Sequence, residues 1–230
     1  MKKTAIVLSL LISISSSFSY SSINNQSPDR QKIGYSFGYL MGKSNSNAIE
    51  DLDLDSFMSG FKQGFEGQDS NLSNEEMLNV LTQYKKKVEA EELIAFQNHA
   101  AKNLKEGLNF LEQNKTKANM QVTQSGLQYL VLQQGTGKVP NLNSKVKVHY
   151  EGRLIDGTVF DSSIARDEPI ILPVASVIKG WQEALSLMNE GSTYRIFIPA
   201  KLAYGEIGSG DHIPPNSTLI FDIQLIDIES

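Results

Sequence analysis

Nine residues in the second half of the chain have the types and the company to do chemistry. Tyr150, Phe160, Val177, Ile178, Trp181, Tyr204, Ile213 and Phe221 are apolar or aromatic side chains at strand ends and loops. Asp161 follows Phe160 directly and is the one carboxylate embedded among them. Together they could offer an apolar, aromatic surface with a single charge beside it and no reactive group of the usual kinds. By type alone each apolar member reads first as ordinary core, and Asp161 as a turn or strand-edge residue. Residue type does not separate these readings from a pocket.

Other chemistries find little to work with. The chain has no cysteine, which removes disulfides, thiolate zinc sites, thiol nucleophiles and a lipid anchor on an N-terminal Cys. The histidines are His99, His149 and His212, none within ligand spacing of another, so a metal site built on them is not expected. No glycine-rich phosphate loop precedes a helix in this half, and no Ser/His/Asp set or acidic pair has catalytic spacing. The formal net charge is −5, and the longest basic run is Lys85-Lys86-Lys87. Nucleic-acid binding needs a basic stripe to displace counterions, so that class is not expected either.

The elements that would position the nine residues can be read from periodicity. Val146, Val148 and Tyr150 alternate with Lys145, Lys147, His149 and Glu151, the pattern of a half-buried strand. Residues 127–133, 194–198 and 219–228 read as further strands, and Asp156-Gly157 as a tight turn between strand-like flanks. Ile178, Trp181, Leu185 and Met188 share one face of a short helix, with Gly191 beyond its end. Several strands around one short helix predict an antiparallel α+β half.

The first half is helical throughout. Ile33, Phe37, Leu40 and Met41 keep helical spacing, with Gly34, Gly38 and Gly42 four apart, which leaves a flat strip for a second helix. Phe57, Met58, Phe61, Gly64 and Phe65 form the stripe of another helix that ends at Gly67. Ser73-Asn74-Glu75-Glu76 is a capping-box sequence opening a pattern that runs to Asn114. Some forty residues at 1.5 Å each span ~60 Å, and Met77, Leu81, Tyr84 and Val88 give that helix only a partial apolar stripe. It reads as a spacer. Helical units as small as the first two are often completed by oligomerisation, so a dimer of intertwined helices is expected, with a small monomeric helical domain as the alternative.

At the N-terminus, Lys2 and Lys3 precede an apolar run from Ala5 to Ile14, and Ser17-Phe18-Ser19 offers a small-residue cleavage site. This is the layout of a signal peptide, cut near Ser19. The apolar run is too short to span a bilayer. Removing residues 1–19 takes away Lys2 and Lys3 and moves the formal charge from −5 to −7.

Four runs in the second half, SGLQYLVLQQGTG (125–137), VHYEGRLIDGTVFDSS (148–163), VIKGWQEALSLM (177–188) and AYGEIGSGDHIPPNSTLIFDIQLIDI (203–228), resemble the FKBP-type peptidyl-prolyl cis-trans isomerases, the tacrolimus-binding immunophilins. The likeness covers about 115 residues with the motifs in order. The whole layout resembles the Mip/FkpA/FklB-like subgroup of Gram-negative exported isomerases. IGYSFGYLMGK (33–43) and FMSGFKQGF (57–65) carry the N-terminal part of that likeness.

The resemblance implies an α+β protein. A signal peptide (1–19), an all-helical dimerisation segment (20–72) and a long spacer helix (73–114) would precede an isomerase domain (115–230). That domain would be a half-open, curved antiparallel sheet wrapped over one short helix. Trp181 would floor a proline pocket walled by Tyr150, Phe160, Val177, Ile178 and Phe221, with Ile213 supplied by a flap before Pro214-Pro215. The Ile178 N–H and the Tyr204 hydroxyl would hold substrate carbonyls, and Asp161 would sit by the reacting amide, held by Tyr150 and Arg166. Three departures bear on substrate and drug preference: Ile170 replaces the family's usual aromatic, residues 173–177 are about two shorter, and the flap at 206–213 has its own sequence. The implied activity is isomerisation of X–Pro bonds during folding of exported proteins, with no cofactor. Unfolded or proline-containing chains would be partners, as would a second copy of the chain and macrolides of the tacrolimus or rapamycin type. The implied location is the periplasm, with association to the outer membrane or cell surface as a variant. The alternative is a dimeric periplasmic chaperone with secondary or no isomerase activity.

Overall fold

The computed structural model describes residues 23–46 and 52–229. The signal peptide expected at 1–19 lies outside them. The chain divides into two compact units, residues 1–74 and 75–230.

The first unit contributes two helices, α1 (Asp29–Ser44) and α2 (Leu54–Phe65). The α2 N-terminus is capped by Asp53, whose carboxylate accepts from the Ser56 N–H at 2.8 Å. Gly67 follows its end at φ 68. Neither helix buries a residue within the chain. Phe37 is 72% exposed and Phe65 84%, with Ile33, Leu40, Met41 and Phe61 also open.

The second unit holds nearly all of the long helix α3 (Asn74–Asn114) and a seven-stranded antiparallel sheet. Its strands are β1 (Gln121–Val122), β2 (Gln128–Gln133), β3 (Lys145–Leu154), β4 (Val159–Ser162), β5 (Ile170–Pro173), β6 (Thr193–Ile198) and β7 (Leu219–Glu229). They lie in the order β1-β2-β6-β7-β3-β4, and β5 also pairs with β3. On β3 the alternation read from sequence is realised: Val146, Val148 and Tyr150 are buried. The Asp156-Gly157 turn joins β3 to β4, with Gly157 at φ 93 and Asp156 accepting from the Thr158 N–H. Helix α4 (Lys179–Leu185) lies on one face of the sheet, with Trp181, Ala184 and Leu185 in the main core beside Val148, Ile196, Leu219, Phe221 and Ile223.

The opposite face has a second core that the sequence reading did not foresee. Leu111 of α3 packs with Phe197 and Ile220, joined by Phe110, Met120 and Leu130. Gln128 Nε2 donates to the Leu111 carbonyl at 2.8 Å, and Asn114 Nδ2 donates to Gln128 Oε1 at 3.0 Å. The end of the expected spacer is therefore bonded into the sheet. Covering both faces also explains why Leu219, Ile220 and Phe221 are buried in succession on β7.

Candidate active site

Four aromatic rings from four elements converge between α4 and the sheet. Trp181 of α4 meets Tyr150 of β3 edge-on at 5.4 Å between centroids and Phe221 of β7 edge-on at 5.3 Å. Phe160 of β4 meets Phe221 edge-on at 5.5 Å. Edge-to-face contacts place the positive ring rim against a negative face, so the cluster is held by quadrupole geometry as well as burial. Tyr150, Trp181, Phe221 and Ile213 are buried in the main core, and Phe160, Val177 and Ile178 are half-buried against it. All seven apolar wall and floor residues expected from the sequence thus lie in one cluster. Tyr204 stands apart at its edge, 40% exposed. Ile178 precedes the first turn of α4 with an extended ψ of 151. Among the described residues neither the Ile178 N–H nor the Tyr204 hydroxyl meets a partner, which leaves two donors for a ligand.

The Asp161 carboxylate is fixed from two sides. The Tyr150 hydroxyl donates to one oxygen, and Arg166 Nη1 donates to the other at 2.6 Å. Arg166 Nη2 also donates to the Tyr150 hydroxyl at 3.2 Å, closing a three-member ring of bonds. Burial pushes the Asp161 carboxyl upward, but the bonds from Tyr150 and Arg166 and the guanidinium charge outweigh it, so it stays below its ordinary range. Burial and the neighbouring carboxylate push the Tyr150 phenol above its ordinary value. Both groups therefore keep one protonation state across the physiological range: Asp161 charged, Tyr150 neutral and donating.

This arrangement has no activated nucleophile and no base poised near neutrality. Among the described residues no group of three His, Asp or Glu side chains could hold a metal ion. An apolar aromatic surface, two open donors and one fixed carboxylate can take up an apolar side chain and donate to carbonyl oxygens.

Comparison with known proteins assigns the architecture. A model of the FKBP-type peptidyl-prolyl cis-trans isomerases matches residues 137–226, and a model of the domain amino-terminal to such isomerases matches residues 30–131. The outer membrane protein MIP of Legionella longbeachae is 42% identical over 201 residues, 87% of this chain and 86% of that protein. The FKBP-type 22 kDa peptidyl-prolyl cis-trans isomerase of Escherichia coli is 42% identical over 198 residues, 86% of this chain and 94% of that protein. The crystal structure of FkpA from Escherichia coli superposes with a TM-score of 0.73 at 33% identity, covering 88% of this chain and 97% of that one. The chain belongs to the FKBP-type peptidyl-prolyl cis-trans isomerases. It is an isomerase with a helical N-terminal segment and an FKBP-like sheet, as its sequence runs imply.

Three contributors to the aromatic cluster and its surroundings escaped the sequence reading. Gly152 occupies the inward position of β3 after Tyr150, where a Cβ would come within 2.6 Å of the Phe221 ring and 2.7 Å of the Phe160 ring. The missing side chain is what lets the two rings close over the strand. Gly180 does the same for α4, since a Cβ there would lie 2.4 Å from Ile198 Cγ2. Ser163 is fully buried, accepts from the Tyr150 N–H at 2.8 Å and lies 3.0 Å from His149 Nδ1, steadying the backbone behind the Tyr150–Asp161 pair. An isolated glycine inside a strand pattern signals close approach, so Gly152 was findable. Ser163 left no such signal. Among the described residues no helix is long and apolar enough to cross a membrane.

Proposed function

We propose that the cleft of Tyr150, Phe160, Val177, Ile178, Trp181, Ile213 and Phe221 binds the prolyl residue of a polypeptide, with Trp181 beneath the ring. The Ile178 N–H and the Tyr204 hydroxyl hold flanking carbonyls, and Asp161 stands by the amide that turns. The observation that carries this reading is the edge-to-face convergence of Trp181, Tyr150, Phe160 and Phe221 beside two unpartnered donors.

The chemistry follows from amide resonance. The planar X–Pro amide faces a rotation barrier of ~18–20 kcal/mol. In the twisted transition state the amide loses resonance and much of its dipole, so it loses less than the planar form on leaving water. An apolar pocket favours the twisted form differentially, and only differential binding lowers a barrier. Lowering it by ~4–5 kcal/mol accelerates the reaction about a thousandfold or more. The two donors restrain the chain on either side while the prolyl amide rotates. Asp161, held charged by Arg166 and Tyr150, supplies a fixed field and no proton.

The substrates are unfolded, proline-containing chains in the periplasm, reached through the signal peptide read at residues 1–19, and the working form is a homodimer. Support for the dimer comes from α1 and α2, which bury nothing within one chain while Phe37, Met41, Phe61 and Phe65 stand open. Tacrolimus-type macrolides compete for the same cleft.

The test is proline isomerisation on a tetrapeptide, with Trp181→Ala, Asp161→Asn and Phe221→Ala beside the wild type and circular dichroism as the check on folding. Loss of turnover in folded variants, and macrolide inhibition of the wild type, support the assignment. Full activity in all three refutes it.

A further inference from the structure

The loop that carries Ile213 is tied to α3 by amide side chains as well as by packing. Asn103 Nδ2 donates to the Pro215 carbonyl at 2.8 Å, and Asn216 Nδ2 donates to the Ala100 carbonyl at 3.2 Å. Each element thus gives the other one side-chain donor and one backbone acceptor. Ala100, Asn103 and Gly107 are three and four residues apart, so they share one helix face. At Gly107 that face meets Thr218 directly, since a Cβ would lie 2.4 Å from Thr218 Oγ1.

The tie reaches the cleft through short covalent and hydrogen-bonded steps. Asn216 sits in the left-handed region at φ 56, and its N–H donates to the carbonyl of Gly205, the residue after Tyr204, at 2.8 Å. Ser217 Oγ donates to the Pro214 carbonyl at 2.7 Å, and Ile213 exchanges backbone bonds with Ser209 at 2.8 and 3.1 Å. Between these anchors few side chains pack. Gly205, Gly208 and Gly210 all have positive φ, Ile207 is 83% exposed, and Gly208 lies close against the Ile213 carbonyl, where a Cβ would come within 2.2 Å. A glycine-rich segment with so few packed side chains depends on its ends for its shape.

We propose that Asn103 and Asn216 are positioning residues of the isomerase, pairing α3 with the 213–218 loop so that Ile213 and Tyr204 face the cleft at fixed spacing. The proposal rests on the cleft assignment above. Neither amide touches substrate; each acts through the loop it restrains. Ile213 and the Tyr204 hydroxyl would contact planar and twisted amides alike, so loosening them weakens substrate binding more than it slows turnover.

The experiment uses the full chain. Asn103→Asp keeps the shape and removes the donor, and Asn216→Gly removes the amide while accommodating the positive φ. Each should raise KM for a proline tetrapeptide by ~3–10-fold with kcat within about twofold, the loss expected for one hydrogen bond. The double variant should fall short of the product of the two, because both bonds serve one tie. Amide exchange at Ser209 and Ile213 should quicken, while Glu92→Gln on the same helix should change nothing. Wild-type KM in both single variants, or a fall in kcat at unchanged KM, overturns the proposal. Trp181→Ala, Asp161→Asn and Phe221→Ala separate the two levels. If they lose turnover while Asn103→Asp is wild-type, only the positioning role fails. If all three are fully active, the cleft assignment fails and the positioning role falls with it.

Discussion

A fragment beginning at residue 117 would keep every strand and α4, yet it should be far less stable than one beginning at residue 98. The longer fragment retains Ala100, Asn103, Gly107, Phe110, Leu111 and Asn114, which bond or pack against the sheet and its loops. The shorter one removes Leu111, which is 7% exposed, and uncovers Phe197 and Ile220 on the sheet. It also breaks the contact between Phe110 and Phe197, whose ring centroids lie 5.9 Å apart. Fully burying a Leu or Phe side chain contributes ~1.5–3 kcal/mol. One full burial for Leu111 and about half each for Phe110, Phe197 and Ile220 give a loss of ~4–7 kcal/mol. A domain holds only ~5–15 kcal/mol in total, so the shorter fragment stands near the edge of folding. At ~4 °C per kcal/mol for a domain of this size, its melting midpoint should fall by ~15–30 °C. Thermal melts followed by circular dichroism, with tetrapeptide isomerisation at low temperature, measure both consequences. Equal midpoints for the two fragments would refute the reasoning and return α3 to the role of a detachable spacer.

Other outcomes follow from single contacts. Gly152→Ala should leave the protein folded while displacing the Phe160 and Phe221 rings, lowering kcat/KM for the tetrapeptide by tenfold or more, on the order of the ~1–3 kcal/mol that overpacking costs; unchanged kinetics would exclude a role for ring closure. Asp161 has a depressed carboxyl, so its contribution to stability is present above the ordinary carboxylate value near ~4 and is lost as pH falls through the lower folded value. Turnover should therefore be flat from about pH 8 to 5, and acid melts of Asp161→Asn should lose that part of the low-pH dependence. Phe37→Asp or Met41→Lys should convert the proposed dimer to monomer by light scattering and slow refolding of a long proline-limited substrate, with tetrapeptide turnover untouched, since an unpaired charge in an apolar interface is costly. Isomerisation should persist undiminished in EDTA; restoration of lost activity by added metal would contradict the pocket mechanism.

Much of the fold was legible because its elements carry their own periodicity. Period-2 burial on β3, helical spacing along α1 and α2, and a run from Asn74 to Asn114 free of proline and with Gly107 as its one glycine are local properties, and they set type and extent nearly to the residue. The short strands β1 and β5 were not read, because two to four residues cannot show a period. The apolar residues of the aromatic cluster could be named together from the order and wording of four runs, yet their types alone could not separate pocket from core.

What the sequence determined by itself was a class of chemistry: a chain without cysteine, with three scattered histidines and a set of apolar and aromatic residues, had apolar surface to offer and none of the usual reactive groups. What only the tertiary structure decided was which residues touch across distance in the chain. Trp181 meets Phe221 from forty positions away, Arg166 and Tyr150 close on Asp161, and Gln128 bonds back to α3. No local pattern encodes such contacts, because each residue's own propensity is satisfied whether or not the partner is there. The same holds for the gap left by Gly152, which has meaning only once the Phe160 and Phe221 rings lie over it. It holds as well for Asn103 and Asn216, whose acceptors, the Pro215 and Ala100 carbonyls, lie on the other element and far away in the chain.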